Sequence, residues 1–198
     1  MSAEYELKFP LNDKEALNWL EVGDKVLVNG IIVTGRDMAH KYFVENPQDE
    51  LIQKELMPLL KQGALYHCGP IIEQGTLRVI SAGPTTSSRE ESYQKEVLSL
   101  FDLAAVIGKG GMGERTLAGL GQTKAVYLNA VGGAGSYYAQ RLKVLGVFKE
   151  AEFGMPEAMW VLEVKNFFTV VTMDFRGNTF YDRIREDSSG KLKDLYLP

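Results

Sequence analysis

Residues 103–113 read Leu-Ala-Ala-Val-Ile-Gly-Lys-Gly-Gly-Met-Gly. The short apolar run Leu103–Ile107 ends at glycine, which predicts a strand of the kind buried on both faces. A glycine loop and a short helix follow. Ala125–Asn129 repeats the order, with a strand, a second glycine loop at Asn129–Gly135 and a predicted helix over Ser136–Leu145. Upstream, Ala64–His67, Pro70–Glu73 and Leu77–Ser81 read as strands, with Gln74-Gly75 as a turn. An amphipathic helix is predicted over Ser88–Phe101, with Tyr93, Val97, Leu98 and Phe101 inward. Lys25–Asn29 and Ile31–Thr34 flank Asn29-Gly30, a hairpin signal. Asp37–Glu45 predicts a helix, and Asp49–Lys61 a second helical stretch broken near Pro58. Downstream, Met159–Val164 and Phe168–Asp174 read as strands, and Arg176-Gly177-Asn178 turns the chain into Thr179–Asp182. Strands and helices alternate through the middle while the ends are rich in hairpin signals. The expected fold is mixed α/β, with a central largely parallel sheet, an additional antiparallel layer and flanking helices. Residues 1–20 are expected to form an N-terminal arm, 21–187 a single domain and 188–198 a polar tail.

Composition narrows the function classes. The chain has 198 residues, 45% hydrophobic and 24% charged, with a single cysteine, Cys68. An internal disulfide is impossible, and a reducing, cytoplasmic location is expected. Glu4, Glu6, Asp13 and Glu15 interrupt the first residues, which do not read as a signal peptide. No apolar run reaches the ~18 residues of a membrane helix. A net charge of −4 argues against a nucleic-acid footprint, but not against a small anion held by a few local cations.

Those cations lie in loops. Thr34-Gly35-Arg36-Asp37-Met38-Ala39-His40 places Arg36 at a strand-to-helix junction, with Asp37 able to cap the helix. A guanidinium there matches a carboxylate through two parallel hydrogen bonds, or it pairs with Asp37 or another acid on the surface. His40 alone reads as a structural histidine. Ser81–Arg89 offers Thr85, Thr86, Ser87 and Ser88 in a row before Arg89. Ser87-x-x-Glu90 fits a capping box, and the loop reads either as an over-capped helix start or as an anion pocket. Gly108-Lys109-Gly110-Gly111-Met112-Gly113 fits G-x-G-x-x-G in form, but the next strand ends Asn129-Ala130-Val131, without the acid that holds a ribose. What is left is Lys109 on a backbone bend at a strand's C-terminal end, where open α/β sheets place ligands. His67-Cys68-Gly69-Pro70 reads as a buried thiol beside a turn, because metal sites need three or four ligands.

In combination these loops, with Phe153-Gly154-Met155-Pro156-Glu157-Ala158-Met159-Trp160, resemble the β subunit of the class I, iron–sulfur fumarase and L-tartrate dehydratase family. The resemblance runs from about Val22 to Arg183. It implies a swivelling β/β/α domain. It further implies a separate α subunit carrying a 4Fe–4S cluster on three cysteines, paired α and β chains, and a dicarboxylate substrate. Arg36, Arg89 and Lys109 match the family's carboxylate-clamping positions. Thr85 matches the threonine taken to act near proton transfer, and Lys109 is expected to share in catalysis. Ala130-Val131-Gly132-Gly133-Ala134 looks fumarase-like, so reversible hydration of fumarate to L-malate is expected. L-tartrate or a methyl-substituted fumarate is the alternative substrate, and a non-catalytic anion-binding module is the rival class. One departure is Glu90, where the family commonly has methionine; it is expected to cap the helix.

Overall fold

The computed structural model describes residues 3–196. In chain order the strands are β1 (Glu4–Phe9), β2 (Lys25–Thr34), β3 (Ala64–Tyr66), β4 (Ile71–Ile72), β5 (Val79–Ser81), β6 (Ala105–Gly108), β7 (Val126–Asn129), β8 (Leu142–Phe148) and β9 (Met159–Met173). The helices are α1 (Asp37–Glu45), α2 (Met57–Leu60), α3 (Gln94–Phe101), α4 (Glu114–Thr123), α5 (Gly135–Ala139), α6 (Glu150–Phe153) and α7 (Phe180–Tyr196). The main sheet has the order β1-β2-β3-β6-β7-β9-β8, and β2 also pairs with β9. Pairings from β1 to β7 are parallel, whereas β9 is antiparallel to β2, β7 and β8. A separate antiparallel pair, β4–β5, supplies the additional layer. The fold is therefore mixed α/β with a mostly parallel central sheet, as expected.

The pairing of β9 closes the sheet on itself. Val170 stands opposite Lys25 of β2 and also opposite Asn129 of β7. Alternation along the strands then fills two cores. Ala64, Tyr66, Ala105, Ile107, Val126 and Leu128 point into the ring with Val26, Ile32 and Phe167. Leu65, Val106 and Tyr127 point outward, under Phe43, Val97, Leu98 and Leu120 of the helices. Both faces are covered, so β6 reads as a continuous apolar run rather than an alternating one.

Several local expectations fail for tertiary reasons. There is no hairpin at Asn29-Gly30; β2 runs straight through it. Gly30 has φ +94°, sits at a register shift against β9, and lies so close to β1 that a Cβ would strike the Phe9 backbone. The stretch expected as an arm, 1–20, contributes β1, whose Leu7 and Phe9 are buried while Glu4, Glu6 and Lys8 face out. A 3-10 helix, Lys14–Trp19, then buries Leu17. The predicted Ser136–Leu145 helix stops at Ala139, and β8 takes over because pairing with β9 outweighs local propensity. The two strands expected between Met159 and Asp174 are one, β9. Thr179 makes only a bridge to Met173, and helix α7 replaces the expected strand there and runs on through 188, where the polar tail was expected to begin. Residues 197–198 of that tail lie outside the described residues.

Candidate active site

Parallel strands deliver the four loops to one edge. The C-terminal ends of β2, β3, β6 and β7 lie side by side, followed by Arg36, His67, Lys109 and Ala130. This C-terminal edge is where open α/β sheets place ligands.

Thr85 and Lys109 are joined directly. Lys109 N donates to Thr85 O at 3.3 Å, Ser87 N donates to Lys109 O at 3.1 Å, and Thr85 N donates to His67 O at 2.7 Å. A short ladder thus fixes the hydroxyl loop against the glycine loop. The Lys109 stem passes over Gly132, whose missing side chain leaves that path open. Lys109 and Thr85 are both half-buried.

Arg36 and Arg89 are brought together through acids. Arg89 forms an ion pair with Asp37, the residue next to Arg36. Arg36 Nε lies 3.2 Å from Glu157 Oε1, and Arg36 Nη1 donates to Pro156 O at 3.4 Å. The second oxygen of Glu157 accepts from Met38 N at 3.1 Å, so Glu157 caps α1 and Asp37 does not. The surface-pair reading of Arg36 is therefore realised in the chain on its own, with Glu157 as the acid. These pairs keep both guanidinium groups at the loop edge and give an incoming carboxylate two acids to displace.

The capping box expected at Ser87-x-x-Glu90 does not form. Ser87 is buried and Tyr127 Oη donates to its Oγ at 2.7 Å. Ser87 Oγ lies 2.8 Å from His67 Nδ1, and His67 Nε2 lies 2.8 Å from Gln94 Oε1. His40 Nε2 meets the same Gln94 oxygen at 3.0 Å. Gly108 is glycine because a Cβ there would strike the Ser87 hydroxyl. Burial holds His40 below the usual histidine range, and burial together with neighbouring His40 holds His67 well below it. Burial, and then the nearby Asp37 charge, pushes Glu90 up to about 7. The cap that does form belongs to Glu91: its carboxylate accepts from Gly113 N at 2.7 Å and Thr116 N at 3.1 Å, starting α4. Sequence reading missed Glu91 and this buried cluster, and gave Glu157 no role of its own. Only the Phe153–Trp160 motif marked Glu157.

Above the glycine loop lies a cavity of about 460 Å³ lined by Ser88, Gly110, Gly111, Met112, Gly113, Tyr181, Ile184 and Arg185. Tyr181 of α7 packs on Gly111, and its hydroxyl donates to Asn129 Oδ1 at 3.1 Å. Asn129 thus stands where a dinucleotide fold would need an acid. A larger groove, about 790 Å³, lies away from these loops beside Lys8, Arg141, Lys143 and Lys165.

A family profile described as Fumarase C-terminus matches residues 3–184. The chain belongs to this family. It is 44% identical over 195 residues to a Geobacillus stearothermophilus protein provisionally named fumarate hydratase class I, a match covering 97% of this chain and 36% of that one. It is 37% identical to a Methanocaldococcus jannaschii protein provisionally named L(+)-tartrate dehydratase subunit beta, covering 96% of this chain and 98% of that one. It is 33% identical to the L(+)-tartrate dehydratase subunit beta of Escherichia coli K12, covering 83% and 80%. The chain thus spans about a third of the Geobacillus protein's length and most of the other two.

The iron–sulfur cluster implied by the resemblance does not fit this member of the Fumarase C-terminus family. Cys68 is wholly buried, and burial pushes its thiol up to about 12, so it does not offer the thiolate that iron needs. Among the described residues no three His, Cys, Asp or Glu side chains are grouped to hold a metal. No described helix is long and apolar enough to cross a membrane.

Proposed function

We propose that this chain is the β subunit of a two-subunit hydro-lyase acting on a four-carbon dicarboxylate, with fumarate hydration to L-malate as its reaction. The observation that carries the reading is the convergence of Arg36, Arg89, Thr85 and Lys109 at one edge of the parallel strands. Fumarate and malate are dianions. Arg36 and Arg89 take one carboxylate in place of Asp37 and Glu157, and Lys109 takes the other. Hydration adds a hydroxyl to one alkene carbon and a proton to its neighbour. In the reverse direction, loss of that proton builds charge on the adjoining carboxylate, and fixed cations stabilise it there. Thr85, held on the Lys109 ladder, orients substrate or water at the protonated carbon. The 4Fe–4S cluster is assigned to a separate α subunit, and the pair to the cytoplasm. Fumarate over L-tartrate is supported by the higher identity to the fumarate hydratase relative and by Ala130–Ala134.

The test is anaerobic co-expression with a candidate α chain, followed by fumarate hydration and tartrate dehydration assays. Turnover is expected only from the pair, with fumarate preferred. Full activity of this chain alone sinks the divided site. Within the active pair, Arg89→Ala and Lys109→Ala are each expected to lower kcat/KM by at least about tenfold, the effect of losing a charge-assisted contact worth roughly 1.5–3 kcal/mol. Melting temperatures should stay near wild type, because neither side chain is part of a core.

A further inference from the structure

Beneath the arginines lies a carboxyl that nothing above uses. Glu90 has no exposed surface, and neither of its oxygens has a hydrogen-bond partner among the described residues. An unpaired buried carboxylate is costly, so a proton must be at hand. The nearest ionisable group is His40, also without exposed surface, with Nδ1 3.7 Å from Glu90 Oε2. One nitrogen of that imidazole, Nδ1, faces the Arg36 carbonyl at 2.9 Å, and the other lies 3.0 Å from the Gln94 side-chain amide. A neutral imidazole has one N–H to donate, and an imidazolium has two. Whether the proton rests on Glu90 or on His40, the pair is neutral as a unit with one proton and carries a negative charge without it.

The surroundings connect that proton to the site. Arg36 and Asp37 from the start of α1, Arg89 beside Glu90 in the chain, Glu157 ahead of β9, and His67 behind His40 are the charged and titratable groups facing the pair. The Arg36 carbonyl is itself the His40 partner. Resting on the dicarboxylate reading above, we propose that Glu90 and His40 are a positioning pair that shares one buried proton, and that this proton must stay in place for Arg36 and Arg89 to accept a dianion. Loss of the proton puts a negative charge directly under the arginines. It competes with substrate for the same cations.

Two measurements test the pair. The first uses the full chain alone. Only two histidines are present, so 15N imidazole shifts separate His40 from His67, and 13C-carboxyl glutamate labelling of the unmutated chain reads Glu90. At pH 6 either Glu90 is protonated or His40 is imidazolium. Finding Glu90 ionised with His40 neutral at that pH overturns the proposal. The second uses the chain assembled with its α partner. The KM for fumarate should rise about tenfold from pH 7 to pH 9, the scale of one unit charge set against a partly screened dianion. Glu90→Gln should flatten that profile, and Glu90→Asp should restore it. An active enzyme whose wild-type KM does not change with pH overturns the pair's role. Absence of dicarboxylate turnover at every pH is the distinct signature of a wrong substrate assignment.

Discussion

His40, His67 and Glu90 meet in one dry cluster, and each resists the charge it would carry in water. Their effects on stability run in opposite directions. The histidines are held below their ordinary value of 6.5, so their contribution is complete above that value and is lost as the pH falls. Glu90 is held at about 7 against an ordinary 4.5, so its contribution is complete below 4.5 and is lost as the pH rises through about 7. Between those ordinary values the trends oppose, two protons against one. Acidification from pH 6.5 to 5 should therefore destabilise the wild type, and Glu90→Gln more steeply. Urea unfolding across that range decides it; parallel curves for the two proteins would refute the assignment. Little of this was visible in the sequence. Arg36, Thr85, Arg89 and Lys109 were legible because each sits in a glycine- or hydroxyl-rich loop with a recognisable neighbourhood. Glu90 was read as a cap because spacing says nothing about which way a short 3-10 turn, Ser87–Glu90, faces.

At the scale of elements, α4 starts without a capping side chain of its own. The N-cap position is Gly113, and Glu91 from the preceding helical segment satisfies the Gly113 and Thr116 amides. Glu91→Ala should cost about 1 kcal/mol, as cap losses do. Faster hydrogen exchange at those two amides would locate the loss; unchanged exchange would show that water replaces the cap. Glu91 also packs against the glycine loop behind Lys109, so fraying there would disturb a candidate substrate contact. Element type was legible where one face alternates against a core, as in α1, which matches its predicted span. It was misread where pairing partners decide. Residues 142–145 were read as the end of a helix yet open β8, because β9 offers the stretch an open edge. Asn29-Gly30 has turn chemistry yet lies inside a strand, because β1 presses on the glycine.

For the whole molecule, the N-terminal strand is structural. β1 lies along β2, and Leu7 and Phe9 complete the inner core. Deleting residues 1–9 should cost about 3–6 kcal/mol from those two side chains alone and should leave one edge of β2 bare. Equilibrium denaturation of the truncated chain checks this, and an unchanged midpoint would restore the view of 1–20 as a dispensable arm. The loops that carry Arg36, Thr85 and Lys109 take their spacing from the same ring, so truncation should also weaken any dicarboxylate binding measured in the α–β pair.

Closure of the sheet by β9 sets a timetable for synthesis. Residues 25–34 of β2 leave the ribosome more than a hundred residues before their partner at 159–173. Until then the nascent chain holds β2, β3, β6 and β7 with two unpaired edges and an uncovered apolar interior, the state most open to aggregation. The cation loops, all encoded before β9, acquire their final spacing only when the last strand arrives.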